Sequence, residues 1–187
     1  MQGELNLVWD HLFPAFQNIN KIPVDSKAQA ALKQKLSMLA LPLPPKADSA
    51  ITRSVSGNTY SMESNGKNIK TISFDLKDNV YTVTLKDDKS IYKIPFGSGD
   101  WKSTETTRRG PSLVGLAKGH FEGLPPTKCV GSYSWKDANT LDLTLRYIES
   151  PHTERMTCRF EGNKISIETQ HSFNPNAKIP VLKGEIK

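Results

Sequence analysis

The sequence predicts a mainly β protein, in which an antiparallel meander of about eight to ten strands forms a barrel or half-barrel behind two N-terminal helices. Three observations point to this class. Apolar side chains recur with a helical period over the first 40 residues, a proline-rich segment follows, and from about Thr52 apolar and polar residues alternate. A period of two is typical of half-buried antiparallel strands. Such runs at a spacing of about ten residues indicate a meandering barrel or sandwich.

The composition is that of a folded protein with a mildly basic surface. The chain has 187 residues, of which 36% are hydrophobic, including 7 Phe, 5 Tyr and 3 Trp. It contains no run of about 20 apolar residues that would span a membrane, and its first residues do not read as a signal peptide. Lys and Arg number 25 against 19 Asp and Glu, which gives a net charge of +6. Because these charges are dispersed, we expect a solvated surface and no nucleic-acid interface.

Two helices are predicted at the start of the chain. In residues 4–16 the apolar side chains fall on one helical face, which we expect to be buried, and Pro14 should kink or end that helix. The second helix is predicted over residues 26–39. Asp25 or Ser26 can cap it, because a short oxygen side chain accepts a hydrogen bond from a free first-turn N–H.

A proline-rich segment at residues 41–46 separates two predicted domains. Proline cannot continue a helix and favours a stiff, extended connection. Residues 1–46 are therefore interpreted as a helical arm with its linker, and residues 47–187 as an antiparallel β domain.

The alternating runs of the β domain are separated by turn signals. On one run Leu141, Leu143 and Leu145 alternate with polar neighbours. Asn65-Gly66 favours a short hairpin, because both residue types tolerate a positive φ, and residues 77–79 carry another turn signal. The general shape expected is like that of the lipocalin barrels.

The alternation weakens over residues 97–126, which are rich in glycine and proline. We expect a long connection there that holds one or two strands, near residues 101–106 and 113–121. Loops of this length are uncommon in compact domains unless they are functional or mobile.

No catalytic, metal-binding or cofactor-binding motif is recognisable. The spacing Ser-x-x-Lys occurs at Ser64 and Lys67 and at Ser90 and Lys93. Activation of the serine requires a helix, whereas the first pair lies in a predicted turn and the second on a predicted strand. The four histidines are scattered without metal-ligand spacing, so neither a metal site nor a cofactor is expected.

Five residues are candidates for a ligand site inside the barrel. A closed antiparallel barrel can hold a small apolar ligand in its mouth. The side chains that could line such a cavity are Trp101, Tyr133, Trp135, Arg146 and Tyr147. The alternative is that these aromatic residues fill an ordinary core.

Cys129 and Cys158 both lie in alternating runs, and two interpretations of them stay open. They could lie on neighbouring strands and form a disulfide, or they could be two buried free thiols. In a simple meander the strands carrying them would flank a third strand. The thiols would then be roughly 9–10 Å apart, which is too far for a bond.

Several segments together resemble one known domain. The matching segments are, in order, residues 4–16, 39–42, 57–60, 72–76, 83–85, 131–135, 140–152 and 156–160. They resemble the C-terminal accessory domain of bacterial serine hydrolases of the β-lactamase-related, penicillin-binding-protein-like family. The resemblance spans nearly the whole chain and depends on the order of individually modest motifs.

The resemblance implies a non-catalytic accessory domain that packs on, or shapes the cleft of, a serine hydrolase domain of the same parent chain. The catalytic serine and lysine would lie in that preceding domain, which is absent from this chain. It further implies a periplasmic or extracellular parent protein. The alternative function is a small-ligand-binding β-barrel module.

Overall fold

A computed structural model describes residues 2–16, 24–44, 46, 55–111, 123–174 and 176–187. The chain divides into two compact units, Met1–Pro42 and Leu43–Lys187, and each is described by itself. The strand expected over residues 113–121 lies outside the described residues.

The first unit is helical, with α1 at Gln2–Leu7, a π-helical turn at Val8–Leu12, α2 at Phe13–Ala15 and α3 at Ser26–Ser37. The first three elements are contiguous. The interruption predicted at Pro14 is observed as the π-helical turn that precedes it. There the Phe13 N–H donates to the carbonyl of Val8, five residues earlier. Asp25 caps α3, because its Oδ1 accepts from the Ala28 N–H at 2.9 Å. None of the helices described is long and apolar enough to cross a membrane.

The apolar face of the first helical segment is not buried within its own unit. Leu5, Trp9, Leu12 and Phe16 are each more than half exposed. The rings of Trp9 and Phe13 stack on one another, with centroids 4.6 Å apart. The expected burial of this face therefore needs a surface that the helical unit itself does not supply.

Over its described residues the second unit is a ten-stranded antiparallel meander, which confirms the predicted fold class. The strands are β1 Thr59–Met62, β2 Thr71–Lys77, β3 Val80–Lys86, β4 Ile91–Gly97, β5 Lys102–Thr106, β6 Thr127–Asp137, β7 Thr140–Tyr147, β8 Thr153–Glu161, β9 Lys164–His171 and β10 Leu182–Ile186. Each strand pairs with its neighbours in the chain except at the β4–β5 junction, and β10 pairs with β1. The sheet therefore curls round on itself.

The barrel closes where β4 meets β6. The contact is a short parallel bridge between Gly97 and Ser132, and the Ser132 hydroxyl donates to the Gly97 carbonyl at 3.2 Å. Gly131 lies at the closest approach: a Cβ there would come within 2.3 Å of the Pro95 carbonyl oxygen and 2.9 Å of the Phe96 ring. Glycine is required at this position because any side chain would push β4 away from β6.

The barrel interior is apolar and largely aromatic. Inward-facing rings meet edge to face, with centroids 5.5 Å apart for Phe74 and Phe160 and 4.8 Å apart for Tyr81 and Tyr133. Toward the other end of the barrel the interior also contains a charged side chain, Glu154 of β8, which is only 2% exposed. A buried carboxylate needs partners, and these partners define the site described below.

Two of the predicted turns have different outcomes. Asp78 and Asn79 both adopt a positive φ, as a two-residue β2–β3 hairpin requires. The short hairpin predicted at Asn65-Gly66 is wrong, because residues 63–70 form a longer loop held by a side chain. Asn65 Oδ1 accepts from the Lys67 and Ile69 N–H groups, and its Nδ2 donates to the Glu63 and Ile69 carbonyls.

The proposed disulfide is also wrong for this fold, since Cys129 and Cys158 are both buried free thiols. They lie on β6 and β8, which flank β7. Cys129 is opposite Tyr147 and Cys158 is opposite Leu141, six positions away along β7. That offset alone is about 20 Å, far beyond the Cα separation that a disulfide spans.

We predict that Gly131→Ala destabilises the barrel by about 2–3 kcal/mol, because the new methyl group overpacks the β4–β6 contact. Gly66→Ala is the matched control: a Cβ there meets nothing within 4 Å and Gly66 has no positive φ. Urea denaturation followed by tryptophan fluorescence measures both. Equal stability of the two variants would show that closure does not depend on the close approach.

Candidate functional site

A pocket of about 610 Å³ opens at the end of the barrel where β3, β5 and β9 finish and β4 and β8 begin. We call it the mouth pocket. The side chains that bring charge and aromatic surface to it are Lys67, Lys86, Asp87, Tyr92, Arg108, Arg109, Glu154, His171 and Phe173.

The floor of the mouth pocket is an ion pair between Arg108 and Glu154. Arg108 Nη1 donates to Glu154 Oε2 at 3.0 Å, and Arg108 Nη2 donates to Glu154 Oε1 at 2.7 Å. Glu154 is an inward-facing residue of β8, whereas Arg108 follows β5 and its N–H donates to Thr106 Oγ1 at 3.1 Å. The planar guanidinium thus meets the carboxylate in the two-pronged geometry that gives the strongest pairs.

The pair keeps both groups charged. Burial alone would raise the pKa of Glu154, but the charge and hydrogen bonds of Arg108, with help from Lys67, lower it to about 2. For Arg108, burial acts to lower the pKa and the neighbouring Glu154 raises it by more, so the net direction is upward. The carboxylate is therefore ionised at any physiological pH.

Lys67 is a second cation on the same carboxylate. Its Nζ lies 3.7 Å from Glu154 Oε1 and 3.5 Å from Thr169 Oγ1, and its side chain is 32% exposed. Burial and the charge of Arg108 lower the pKa of Lys67, while Glu154 opposes this. The loop organised by Asn65 carries Lys67, so its position is set by that loop and not by a strand.

Tyr147 completes the hydrogen bonding of the floor. Its hydroxyl accepts from Arg108 Nη1 at 3.0 Å. Burial raises the pKa of Tyr147, although Arg108 acts against this, and the phenol therefore stays neutral. This contact anchors the guanidinium to the last residue of β7.

One wall of the pocket is aromatic. The rings of His171 and Phe173 are stacked, with centroids 5.7 Å apart and planes 11° apart, and His152 meets Phe173 edge to face at 5.2 Å. Burial lowers the pKa of His171. The charges of Lys67 and Arg108 lower this pKa further, whereas Glu154 acts to raise it. Among the described residues no group hydrogen-bonds the buried Nδ1 of His171.

The rim of the pocket adds further charges. Tyr92 on β4 donates to Asp87 Oδ2 at 3.1 Å, and Lys86 lies beside them. Arg109 is turned toward the Leu124 and Pro125 carbonyls. Four cationic side chains and two carboxylates line the pocket, so it carries an excess of two positive charges with His171 neutral.

The structure separates the five side chains predicted to line one cavity. Tyr133 and Trp135 are buried core residues, and Tyr147 contacts the pocket floor through Arg108. Arg146 lies on the outer face of β7 with its guanidinium carbon 5.2 Å from the Trp101 ring centroid. The predicted common cavity is wrong because neighbours in a strand, such as Arg146 and Tyr147, point to opposite faces.

Lys67, Arg108 and Glu154 were not identified as site residues from the sequence. A signal was present for one of them, since Glu154 occupies the inward position of a run that continues with Met156, Cys158 and Phe160. A charge at an apolar position of a strand indicates a buried partner. Over the part of the chain that the structure describes, no group of three His, Cys, Asp or Glu side chains could hold a metal ion.

Comparison with known proteins gives distant similarities among solved structures alone. No protein-family model matches the chain, and no curated protein does either. Among solved structures the chain is similar to the fatty-acid-binding protein of Manduca sexta, at 13% sequence identity and a TM-score of 0.42. The match covers 72% of this chain and 99% of that one. The function is therefore inferred from the geometry of the mouth pocket itself.

We predict that Arg108→Met costs about 3–5 kcal/mol of stability, because it leaves the carboxylate of Glu154 buried beside Lys67 alone. Adding Glu154→Met should recover at least half of the loss, since an apolar pair of similar volume needs no charge compensation. A double-mutant cycle by urea denaturation measures this. Strict additivity of the two changes would contradict the coupling.

The same pair predicts an acid dependence of stability. The pKa of Glu154 is lowered from 4.5 to about 2 in the fold, so its contribution is complete above about pH 4.5 and is lost as the pH falls through 2. The wild type should lose up to about 3 kcal/mol more than the Arg108→Met/Glu154→Met variant over this range. Urea denaturation of both proteins at pH 6 and pH 2.5 measures this difference in stability. Equal losses in the two proteins would rule out the predicted contribution of Glu154.

Proposed function

We propose that the β-barrel unit binds a small organic anion in the mouth pocket. The observation that carries this proposal is the charge of the pocket floor. Arg108 and Lys67 both face the single buried carboxylate of Glu154, so the floor retains one uncompensated positive charge. An anion that enters the pocket restores neutrality there.

A purely structural role explains Arg108 but not Lys67. The guanidinium already satisfies both oxygens of Glu154. Lys67 is placed beside them although burial and Arg108 lower its pKa, that is, although its charge is disfavoured there. Charges held against such a cost are typical of binding sites.

The mouth, and not the centre of the barrel, is the place for the ligand. The interior carries a continuous core that includes Tyr81, Tyr133, Trp135 and Phe160. The mouth pocket, at about 610 Å³, has the size of ordinary small-molecule sites.

The proposal is for binding without catalysis. Ser64 and Lys67 lie in the β1–β2 loop, where Lys67 contacts Glu154. Ser90 precedes β4, and its N–H donates to Asp87 Oδ1 at 2.7 Å. Neither serine begins a helix with a lysine one turn later, which is the arrangement that would activate it.

A second candidate function is the accessory role in a β-lactamase-related serine hydrolase. The observation that favours it is the exposed apolar face of the helical unit, which includes Leu5, Trp9 and Phe16. A face of this kind marks an interaction surface. A reading frame that continues upstream into a hydrolase domain with a helical Ser-x-x-Lys motif would support this role, and an unrelated upstream frame would remove it.

We predict that Lys67→Gln weakens anion binding about five- to tenfold, because it removes the uncompensated charge and leaves the Arg108–Glu154 pair intact. The measurement is a ¹H–¹⁵N NMR titration with sodium acetate, benzoate and phosphate at constant ionic strength. Saturable shifts should centre on residues 67–69 and 171–173.

Lys70→Gln is the matched control for this titration. Lys70 lies in the same loop and its Nζ is 3.4 Å from Asp88, but both side chains are more than half exposed. An exposed pair of this kind contributes little. The proposal fails if no anion in the panel gives saturable shifts, or if the two lysine variants weaken binding equally.

A further inference from the structure

We propose that the ligand of the mouth pocket is a monovalent aromatic carboxylate, an inference that rests on the anion binding proposed above. Its carboxylate pairs with the Lys67 ammonium at the floor, and its ring packs against the wall formed by His171 and Phe173. Two independent features of the pocket lead to this ligand class: the charge of the floor and the aromatic surface of the wall.

The charge of the floor favours one negative charge over two. Lys67 and Arg108 exceed the carboxylate of Glu154 by a single positive charge. Glu154 stays ionised, so a dianion such as a phosphate ester would bring its second charge close to a fixed carboxylate of the same sign. A monocarboxylate neutralises the floor without this repulsion.

The available donors match a carboxylate as well. Both terminal nitrogens of Arg108 already donate to Glu154, and Nη1 also donates to Tyr147. The Lys67 side chain is 32% exposed against 13% for Arg108, so its ammonium is the more accessible floor donor for a ligand. A single ammonium suits one carboxylate oxygen, whereas a phosphate group is normally held by several donors.

The wall favours a ring. His171 and Phe173 present nearly parallel ring planes, and both line the mouth pocket. Because the pKa of His171 is lowered by burial and by the nearby cations, the imidazole is neutral at pH 7 and offers a π surface without a charge. An aromatic ligand gains from such a surface beyond the area it buries, which corresponds to about three- to tenfold in affinity.

The test compares four anions by NMR titration at pH 8: acetate, cyclohexanecarboxylate, benzoate and phenylphosphonate. Benzoate and cyclohexanecarboxylate share charge and approximate size and differ in aromaticity. Benzoate and phenylphosphonate share the ring and differ in charge. We expect benzoate to bind about threefold or more tighter than cyclohexanecarboxylate, and no more weakly than phenylphosphonate.

Phe173→Leu should abolish the preference for benzoate over cyclohexanecarboxylate. Phe13→Leu is the matched control, because it makes the same chemical change at a half-exposed ring of the helical unit, and the preference should survive it.

The possible failures are distinguishable. If benzoate and cyclohexanecarboxylate bind equally, or if Phe173→Leu leaves their ratio unchanged, the aromatic ligand class is wrong while anion binding stands. If phenylphosphonate binds most tightly, the monovalent carboxylate is wrong. If none of the four anions binds saturably, the anion-binding function itself fails.

Discussion

The architecture depends on the contact at which β4 meets β6. A meander of ten strands leaves two free edges, and here β10 closes on β1 while the β4–β5 junction breaks the regular pairing. The gap is closed by the bridge between Gly97 and Ser132 and by the Ser132 hydroxyl, and at Gly131 no side chain separates the strands. Without that contact the sheet would be open, and inward-facing rings such as Tyr81 and Tyr133, which lie on β3 and β6, would not meet across the interior.

Closure also explains why a charge can be held inside the barrel. Glu154 lies on β8 and Arg108 follows β5, so the two approach each other only when the sheet has curled. In a low-dielectric interior an isolated carboxylate would be strongly disfavoured, but a two-pronged arginine satisfies both of its oxygens. The mouth of the barrel is thus charged at its floor, while the centre remains a packed apolar core. The binding proposed here is placed at the end where these strands leave the core.

Local features of the fold could be predicted from the sequence, and contacts distant in sequence could not. The alternation of Leu141, Leu143 and Leu145 marks a strand directly, and Asp25 marks a helix start, because both signals act within a few residues. The Asn65 loop differs from the short hairpin that its residue types predict, since the Asn65 amide forms four hydrogen bonds that residue type alone does not reveal. The pairing of Arg108 with Glu154, 46 residues apart, depends on strand order and register. Only Tyr147 of the predicted ligand-site residues contacts that cluster, because strand alternation turns Arg146 outward.

The loop between β1 and β2 contributes a charge to the mouth of the barrel without being part of its strands. Its shape comes from the side chain of Asn65, and it delivers Lys67 to a floor that β7, β8 and the end of β5 build without it. A loop that keeps the buried Ile69 but carries another residue at position 67 would alter the charge of the mouth while leaving the core side chains in place. The charge of the mouth and the fold can therefore diverge separately over evolution. For an engineer, residues 64–68 are the exchangeable part, since Ile69 belongs to the core.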